Sequence, residues 1–285
     1  MWWKMILYVM AGLVAILAVA LLYGAHRWQS LTRQMRAGLE AARLAEGTGP
    51  YRPDDLTGLP APVQRYLRAS LTDGQPVVSA VTMAHRGTFN MRESGEGWKP
   101  FTSTQRVITR RPGFDWDARI AVMPAVTVRV HDAYIAGEGV LQAALYGLVT
   151  LVEMRGTPEI AQGELMRFLA EAPWYPTALL PGQGVRWEAV DGTSAKATIR
   201  DGETTVALLF RFDDQGLIAS VRAEARGRAV GGAMIPTPWE GRWGGYEVRD
   251  GMRVPTEGEV AWLLPGGPKP YWRGRVTRLA YEFAR

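Results

Sequence analysis

The chain contains no cysteine, which excludes a disulfide framework, a thiolate-ligated metal and a cysteine nucleophile. Histidine is nearly as scarce: His26, His85 and His131 are the only three, and no two stand four residues apart as a helical metal site requires. No HExxH, carboxylate-rich calcium loop, G-x-S-x-G elbow, P-loop or G-x-G-x-x-G after a strand is present. No metal or cofactor is implied, and no complete catalytic set. Basic clusters are missing as well. The net charge of +5 and pI near 9.6 come from scattered residues, almost all arginine, with no run interleaved with stacking aromatics. That describes a solvated surface and points away from nucleic acid.

What is present begins with Met5 to Tyr23, an uncharged apolar run about 28 Å long as a helix, which matches a bilayer core. Trp2, Trp3 and Lys4 flank it on one side and Tyr23, His26, Arg27 and Trp28 on the other, as interfacial belts require. A single-pass anchor in a bacterial inner membrane is the expectation. A cleaved signal peptide is the alternative, since Ala18-Val19-Ala20 has the form of a cleavage site, but cutting there leaves the apolar terminus Leu21-Leu22-Tyr23. Without cysteine there is no lipoprotein anchor. Orientation stays open: Arg27, Arg33, Arg36 and Arg43 favour a cytoplasmic domain, whereas Glu40 and Glu46 among them, and the habit of single N-terminal anchors, favour a periplasmic or extracellular one.

Leu31, Met35, Leu39 and Ala42 mark an amphipathic stalk helix at the membrane interface, ending at Gly47. A Gly/Pro-rich linker, Gly47 to Gly58, follows. The chain thus divides into an anchor (1–28), a juxtamembrane helix and linker (29–58) and a main domain (59–285). Pro60 to Leu71 is a short helix with Val63, Tyr66, Leu67 and Leu71 on one side. From Val77 the apolar period becomes two: Val77–Met91 and Phe101–Arg110 read as strands around a loop at Ser94–Gly97, and Phe114, Trp116, Ala118 and Ile120 alternate with Asp115, Asp117 and Arg119. Val126, Val128 and Val130 continue the pattern, and Gly137 to Tyr146 is either another strand or a loop-helix piece.

The stretch TPEIAQGELMRFLAEAPWYPTALLP, from Thr157 to Pro181, is the element the rest is expected to be built around. Thr157 can cap, Pro158 suits the first helical position, Glu159 complements the dipole and Pro173 ends the pattern. Ala161, Leu165, Phe168, Leu169 and Ala172 form an inward face; Glu159, Gln162, Glu164, Arg167 and Glu171 form an opposite face of surface ion pairs. Beyond it, Asp201-Gly202 signals a hairpin that sets Ala197 opposite Val206 and Ala195 opposite Leu208. The next turn sets Phe210 against Ala219 and Leu208 against Val221. One face of this meander is then rich in alanine (Ala195, Ala197, Ala219, Ala223, Ala225), leaving room for the helix or a ligand. Asp250-Gly251 closes another hairpin, and the loop Pro265–Lys269 sets Trp262 opposite Trp272 and Glu259 opposite Arg275.

Asp115 and Asp117 point the same way about 7 Å apart, a spacing that suits divided acid and base roles, although Arg119 beside them also fits a neutralised, solvated face. Asp132, next to His131, suits a buried polar role at a strand end. Trp116, Trp174, Trp187, Trp239, Trp243, Trp262 and Trp272 are too many for one core cluster, so some are available to line a cavity.

Trp116-Asp117-Ala118-Arg119, Asp132-Ala133-Tyr134, Gly163-Glu164-Leu165 with Arg167, Leu169-Ala170-Glu171, Trp174, Pro176 and Ala178-Leu179 together resemble an uncharacterised bacterial domain-of-unknown-function family. So do Pro238-Trp239-Glu240, Gly258-Glu259-Val260-Ala261-Trp262 and Tyr271-Trp272-Arg273-Gly274, and the likeness runs from about Leu59 to the C-terminus. That family has no established activity. In architecture, the expected fold is similar to lipoprotein carriers of the LolA, LolB and LppX type, which implies a concavity able to hold acyl chains.

The expected fold is mainly β: a curved antiparallel sheet or incomplete barrel cradling a few helices, preceded by one transmembrane helix. The expected function is non-enzymatic binding of a lipid-like or other apolar molecule by Phe168, Leu169, Trp174, Tyr175, Trp116 and Tyr134. Its alternatives are a hydrolase using Asp115, Asp117 and Asp132, or a structural envelope scaffold.

Overall fold

The computed structural model describes residues 2–45, 49–93 and 95–284. The expected stalk-helix end at Gly47, the first residue of the linker and Ser94 of the first hairpin loop lie outside the described residues. Helix α1 spans Trp2–Ala41, α2 Ala61–Ser70 and α3 Pro158–Ala170. Six strands precede α3: β1 (Val78–Asn90), β2 (Trp98–Ile108), β3 (Gly113–Met123), β4 (Val126–Ile135), β5 (Glu138–Leu145) and β6 (Val149–Arg155). Five more follow it, β7 (Arg186–Ala189), β8 (Ser194–Asp201), β9 (Thr204–Phe212), β10 (Ile218–Val230) and β11 (Ala233–Gly244). The small hairpin β12 (Glu247–Arg249) and β13 (Met252–Val254) leads to β14 (Glu257–Leu264) and the long β15 (Gly267–Phe283).

Thirteen strands form one antiparallel sheet in the order β6-β5-β4-β3-β2-β1-β15-β14-β11-β10-β9-β8-β7. Two meanders are joined where the terminal strands β1 and β15 pair, and the sheet curls into a half-barrel around α3. The segment Gly137–Tyr146 is thus a strand, while edge strand β6 was not expected from the sequence. The curl has a visible cause. Gly87, Gly274 and Gly258 are in register across β1, β15 and β14, and the indole of Trp272 lies over Gly274 while that of Trp243 lies over Gly258. Glycines covered by aromatics let three neighbouring strands bend together. A Cβ on Gly87 would stand 1.9 Å from the Arg273 carbonyl oxygen, which is backbone and cannot step aside. Gly87→Ala is therefore expected to cost about 1–3 kcal/mol, read as a lower urea midpoint at unchanged slope.

The turn signals located the hairpins, but the β8–β9 and β9–β10 registers differ by two residues from expectation. Gly202, at φ +57°, and Glu203 take the central turn positions, so Asp201 pairs with Thr204, Ala197 with Leu208 and Ala195 with Phe210. Phe210 likewise lies opposite Val221, after an irregularity between Ile218 and Ser220. A shift of two preserves the faces. The irregularities do not: Ala195, Ala197 and Ala223 are buried, Ala219 is half-buried, and Ala225 is exposed because a bulge between Ala223 and Arg226 reverses the alternation. In the last hairpin a tight Pro265-Gly266 turn pairs Trp262 with Lys269 and Trp272 with Val260. Glu259 meets Arg273 at 2.7 Å and Glu257 meets Arg275 at 2.5 Å.

Helix α1 runs without a break from the apolar segment into the expected stalk. Its second part does not lie apart from the domain. It docks along the outer face of β2, β3 and β4, burying Gly24, Trp28, Thr32 and Leu39.

Candidate functional site

Helix α3 begins as expected, with Thr157 as N-cap and Pro158 in the first turn. Its setting differs. Because it lies inside the curled sheet, both its faces are buried. Leu165, Phe168 and Leu169 share one core with Ala195, Ala197, Leu208 and Phe210, and the Tyr175 hydroxyl donates to the Phe168 carbonyl at 2.7 Å. Tyr134 is also in the core and donates to Asp201 at 2.9 Å. Phe168, Leu169, Tyr175 and Tyr134 thus pack against protein, whereas Trp116 and Trp174 border a cavity.

That cavity, about 420 Å³, lies on the opposite side of α3. The helix face expected to carry solvated ion pairs, Glu164, Arg167 and Glu171, forms its floor instead. Its apolar walls come from Phe89, Val130, Leu141, Ile160 and Met234, and its aromatic walls from Trp116, Trp174, Trp239, Trp243, Tyr271 and Trp272.

Arg167 is the centre of the floor. It pairs with Asp132 and, at 2.7 Å, with Glu171, and its guanidinium stacks over Phe114 at 4.9 Å and Trp116 at 5.0 Å. Gln105 donates to the second oxygen of Glu171 at 2.6 Å. Arg226, turned inward by the β10 bulge, lies over Trp239 at 5.1 Å and places its Nη2 3.6 Å from Glu164. Sequence alternation puts Arg226 outside; only the bulge brings it in.

Three buried indole N–H groups of cavity-lining residues have no protein partner: Trp116 Nε1, Trp174 Nε1 and Trp243 Nε1. Buried polar atoms are normally paired, so the lining is prepared for polar as well as apolar atoms. Burial, reinforced by nearby Asp132, holds the Glu164 carboxyl well above the usual carboxylate range. At 3.6 Å, Arg226 is too far to form a hydrogen bond that would reverse this. A group whose folded pKa is raised contributes stability that is present below its unfolded pKa and lost as pH rises through the folded one. Glu164→Gln keeps the uncharged form throughout and is expected to flatten that alkaline decline, measured as melting temperature from about pH 5 to about pH 9. Behind Trp174, buried His85 is pushed down to about 3 by desolvation and the Arg167 cation, so it is neutral.

The remaining carboxylates are on the other side of the sheet. Asp115 and Asp117 face outward beneath α1, not into solvent, while Asp132 faces the cavity. The three aspartates therefore share no cleft. Asp115 and His131 are fully buried, with Asp115 accepting from Arg36 at 2.9 Å and lying 2.9 Å from His131 Nδ1. His131 Nε2 lies 3.0 Å from the Thr32 hydroxyl, which itself donates to the Trp28 carbonyl. This hydroxyl–imidazole–carboxylate chain has the order of a nucleophilic triad. It is sealed under the helix, with Thr32 only 8% exposed, and works as a clasp between α1 and the sheet.

Fold and site together define a class: a curled antiparallel half-barrel, bridged by one helix over a tryptophan-walled cavity and mounted on a long N-terminal apolar helix. The chain belongs to DUF6920, a family of unknown function, whose profile matches residues 57–281. No curated protein sequence matches it. Among solved structures it is similar to a DUF1329 family protein from Desulfovibrio piger at 12% identity, TM-score 0.39, covering 72% of this chain and 86% of that one. It is also similar to a LolA superfamily protein from Nitrosomonas europaea at 12% identity, TM-score 0.32, covering 78% and 92%. A beta-barrel-like DUF1849 protein from Brucella abortus gives 12% identity, TM-score 0.21, and 73% and 100% coverage. At these scores the account of the site rests on the cavity itself.

Proposed function

We propose that this protein binds an amphiphilic, lipid-like molecule in its half-barrel without catalysing a reaction. Residues 5–23 span a bacterial inner membrane and hold the domain on its periplasmic or extracellular side. The observation that carries the reading is the cavity of about 420 Å³, within the range of small-molecule sites, whose apolar walls hold buried indole N–H groups without protein partners beside a desolvated Glu164. An apolar body fits the walls, and an oxygen-bearing group fits the indole donors and Arg226. A scaffold has no need of such a cavity. Of the arginines that favour a cytoplasmic domain by count, Arg36 pairs with Asp115 and Arg43 with Glu282.

Organic extraction of the full-length protein purified from its native membrane, followed by mass spectrometry, tests the reading. Wild type is expected to release a bound amphiphile in near-stoichiometric amount, and Gly163→Leu much less. A Cβ at Gly163 meets only the flexible end of Arg226, at 3.6 Å, so the leucine projects into the cavity without breaking α3. No bound amphiphile in wild type, or equal recovery from a correctly folded Gly163→Leu, sinks it.

A further inference from the structure

The apolar helix and the domain are rigidly mounted on one another, and that fixes which end of the half-barrel meets the membrane. Residues 2–19 of α1 project with their side chains exposed, Ala20 and Leu21 are half-buried, and Gly24 is the first buried residue. A Cβ on Gly24 would stand 2.6 Å from the Tyr146 carbonyl oxygen, and Gly147 is equally close to the helix backbone. Arg27 donates to the Leu148 carbonyl at 3.2 Å. The apolar segment therefore leaves the domain at the β5–β6 hairpin. From there α1 runs toward the opposite end, where Leu39 packs on Ala80 and Ile108 and against Gly113.

In an antiparallel sheet, alternate hairpins turn at the same end. Within the β1–β6 meander, on which α1 docks, the order of strands puts the β1–β2 and β3–β4 turns at the same end as β5–β6. Exposed apolar side chains gather there: Met123 is 61% exposed, Val149 58% and Leu151 54%, with Met91 just after β1. The cavity rim reaches this end, where Met91 and Arg92 from the β1–β2 hairpin are exposed lining residues.

We infer that these hairpin tips, with Met123, Val149 and Leu151, seat in the lipid interface of the same membrane that residues 5–23 span, so that the cavity opens toward that bilayer. The inference rests on the spanning reading proposed above. Amphipathic surfaces beside an anchor bind in proportion to the apolar area they bury. The occupant of the surface is a lipid bilayer, and the molecule that fills the cavity comes from its near leaflet.

The absence of cysteine makes the test direct, because one introduced thiol is unique. Full-length Met123→Cys, Val149→Cys and Leu151→Cys, each carrying an environment-sensitive fluorophore, are reconstituted into phosphatidylcholine and phosphatidylglycerol vesicles with brominated acyl chains. Glu138→Cys and Asp214→Cys report the opposite end, and Val14→Cys reports the apolar segment. The three tip labels are expected to lose most of their emission and to shift blue, as Val14→Cys does, while the opposite end keeps its emission. Quenching at Val14→Cys without quenching at the tips overturns the inference and leaves the anchor standing. No quenching at Val14→Cys removes the spanning reading, and the inference with it.

Discussion

Replacing Arg167 with methionine is expected to destabilise the domain by about 3–5 kcal/mol, the cost of leaving buried charges without their partner. Arg167 stands between Asp132 and Glu171, and its planar group rests on Phe114 and Trp116. Methionine replaces the stem and preserves much of the packing. It leaves two carboxylates, each less than a fifth exposed, facing one another and the desolvated Glu164. Arg167→Lys is not a repair, because an ammonium offers no planar fork to bridge two carboxylates and stack on two rings. The triple variant Arg167→Met, Asp132→Asn, Glu171→Gln removes the charges together and is expected to recover most of the loss. Urea unfolding of the single, lysine and triple variants measures it. A loss below about 1 kcal/mol for Arg167→Met, typical of a solvated surface pair, would show that the floor is wet and unimportant to stability.

That contrast is where sequence reasoning and structure part. The cap, first turn and apolar stripe of α3 were legible, because they are local and depend on a period of 3.6. What its polar stripe faced was not. Polar residues on a helix usually face water, and Glu164, Arg167 and Glu171 fit that rule until a curled sheet encloses both sides of the helix. The same holds for β3. Alternation separated Trp116 from Asp115 and Asp117 correctly, but the covering of the aspartates depends on a helix some eighty residues earlier in the chain. Turn chemistry found the hairpins at Asp201-Gly202 and Asp250-Gly251, yet the register moved because Gly202 itself took the first central position. Bulges carry no comparable signature. One of them brings Arg226 into the site and sends Ala225 out. The room expected beside the alanines of β8 is filled by Phe168 and Leu169, and the space lies on the other side of α3.

Trp28→Ala is expected to cost about 3–5 kcal/mol, the range for deleting a buried tryptophan side chain, and to spend it almost entirely on the docking of α1. Trp28 is 2% exposed, stacks on His131 with centroids 4.5 Å apart and planes 19° from parallel, and donates to Asp117 at 2.9 Å. Alanine uncovers His131 and strips Asp117 of a donor. The half-barrel's own core, from Val81 and Phe114 through Leu165 to Phe210, lies on the inner side of the sheet and does not include Trp28. Hydrogen exchange on the full-length protein separates the two effects. Amides of residues 24–41 are expected to exchange through local opening in Trp28→Ala, while those of β1, β2 and β15 keep their protection. Equal loss of protection in all of these would make Trp28 part of the global core, and unchanged protection in 24–41 would put the clasp elsewhere, in Arg36 and Leu39. The separation matters for the membrane. A domain that has lost its clasp is still tethered by the same chain, but its hairpin tips are no longer held against the bilayer, so capture of a lipid by the cavity should fall even though the cavity is intact.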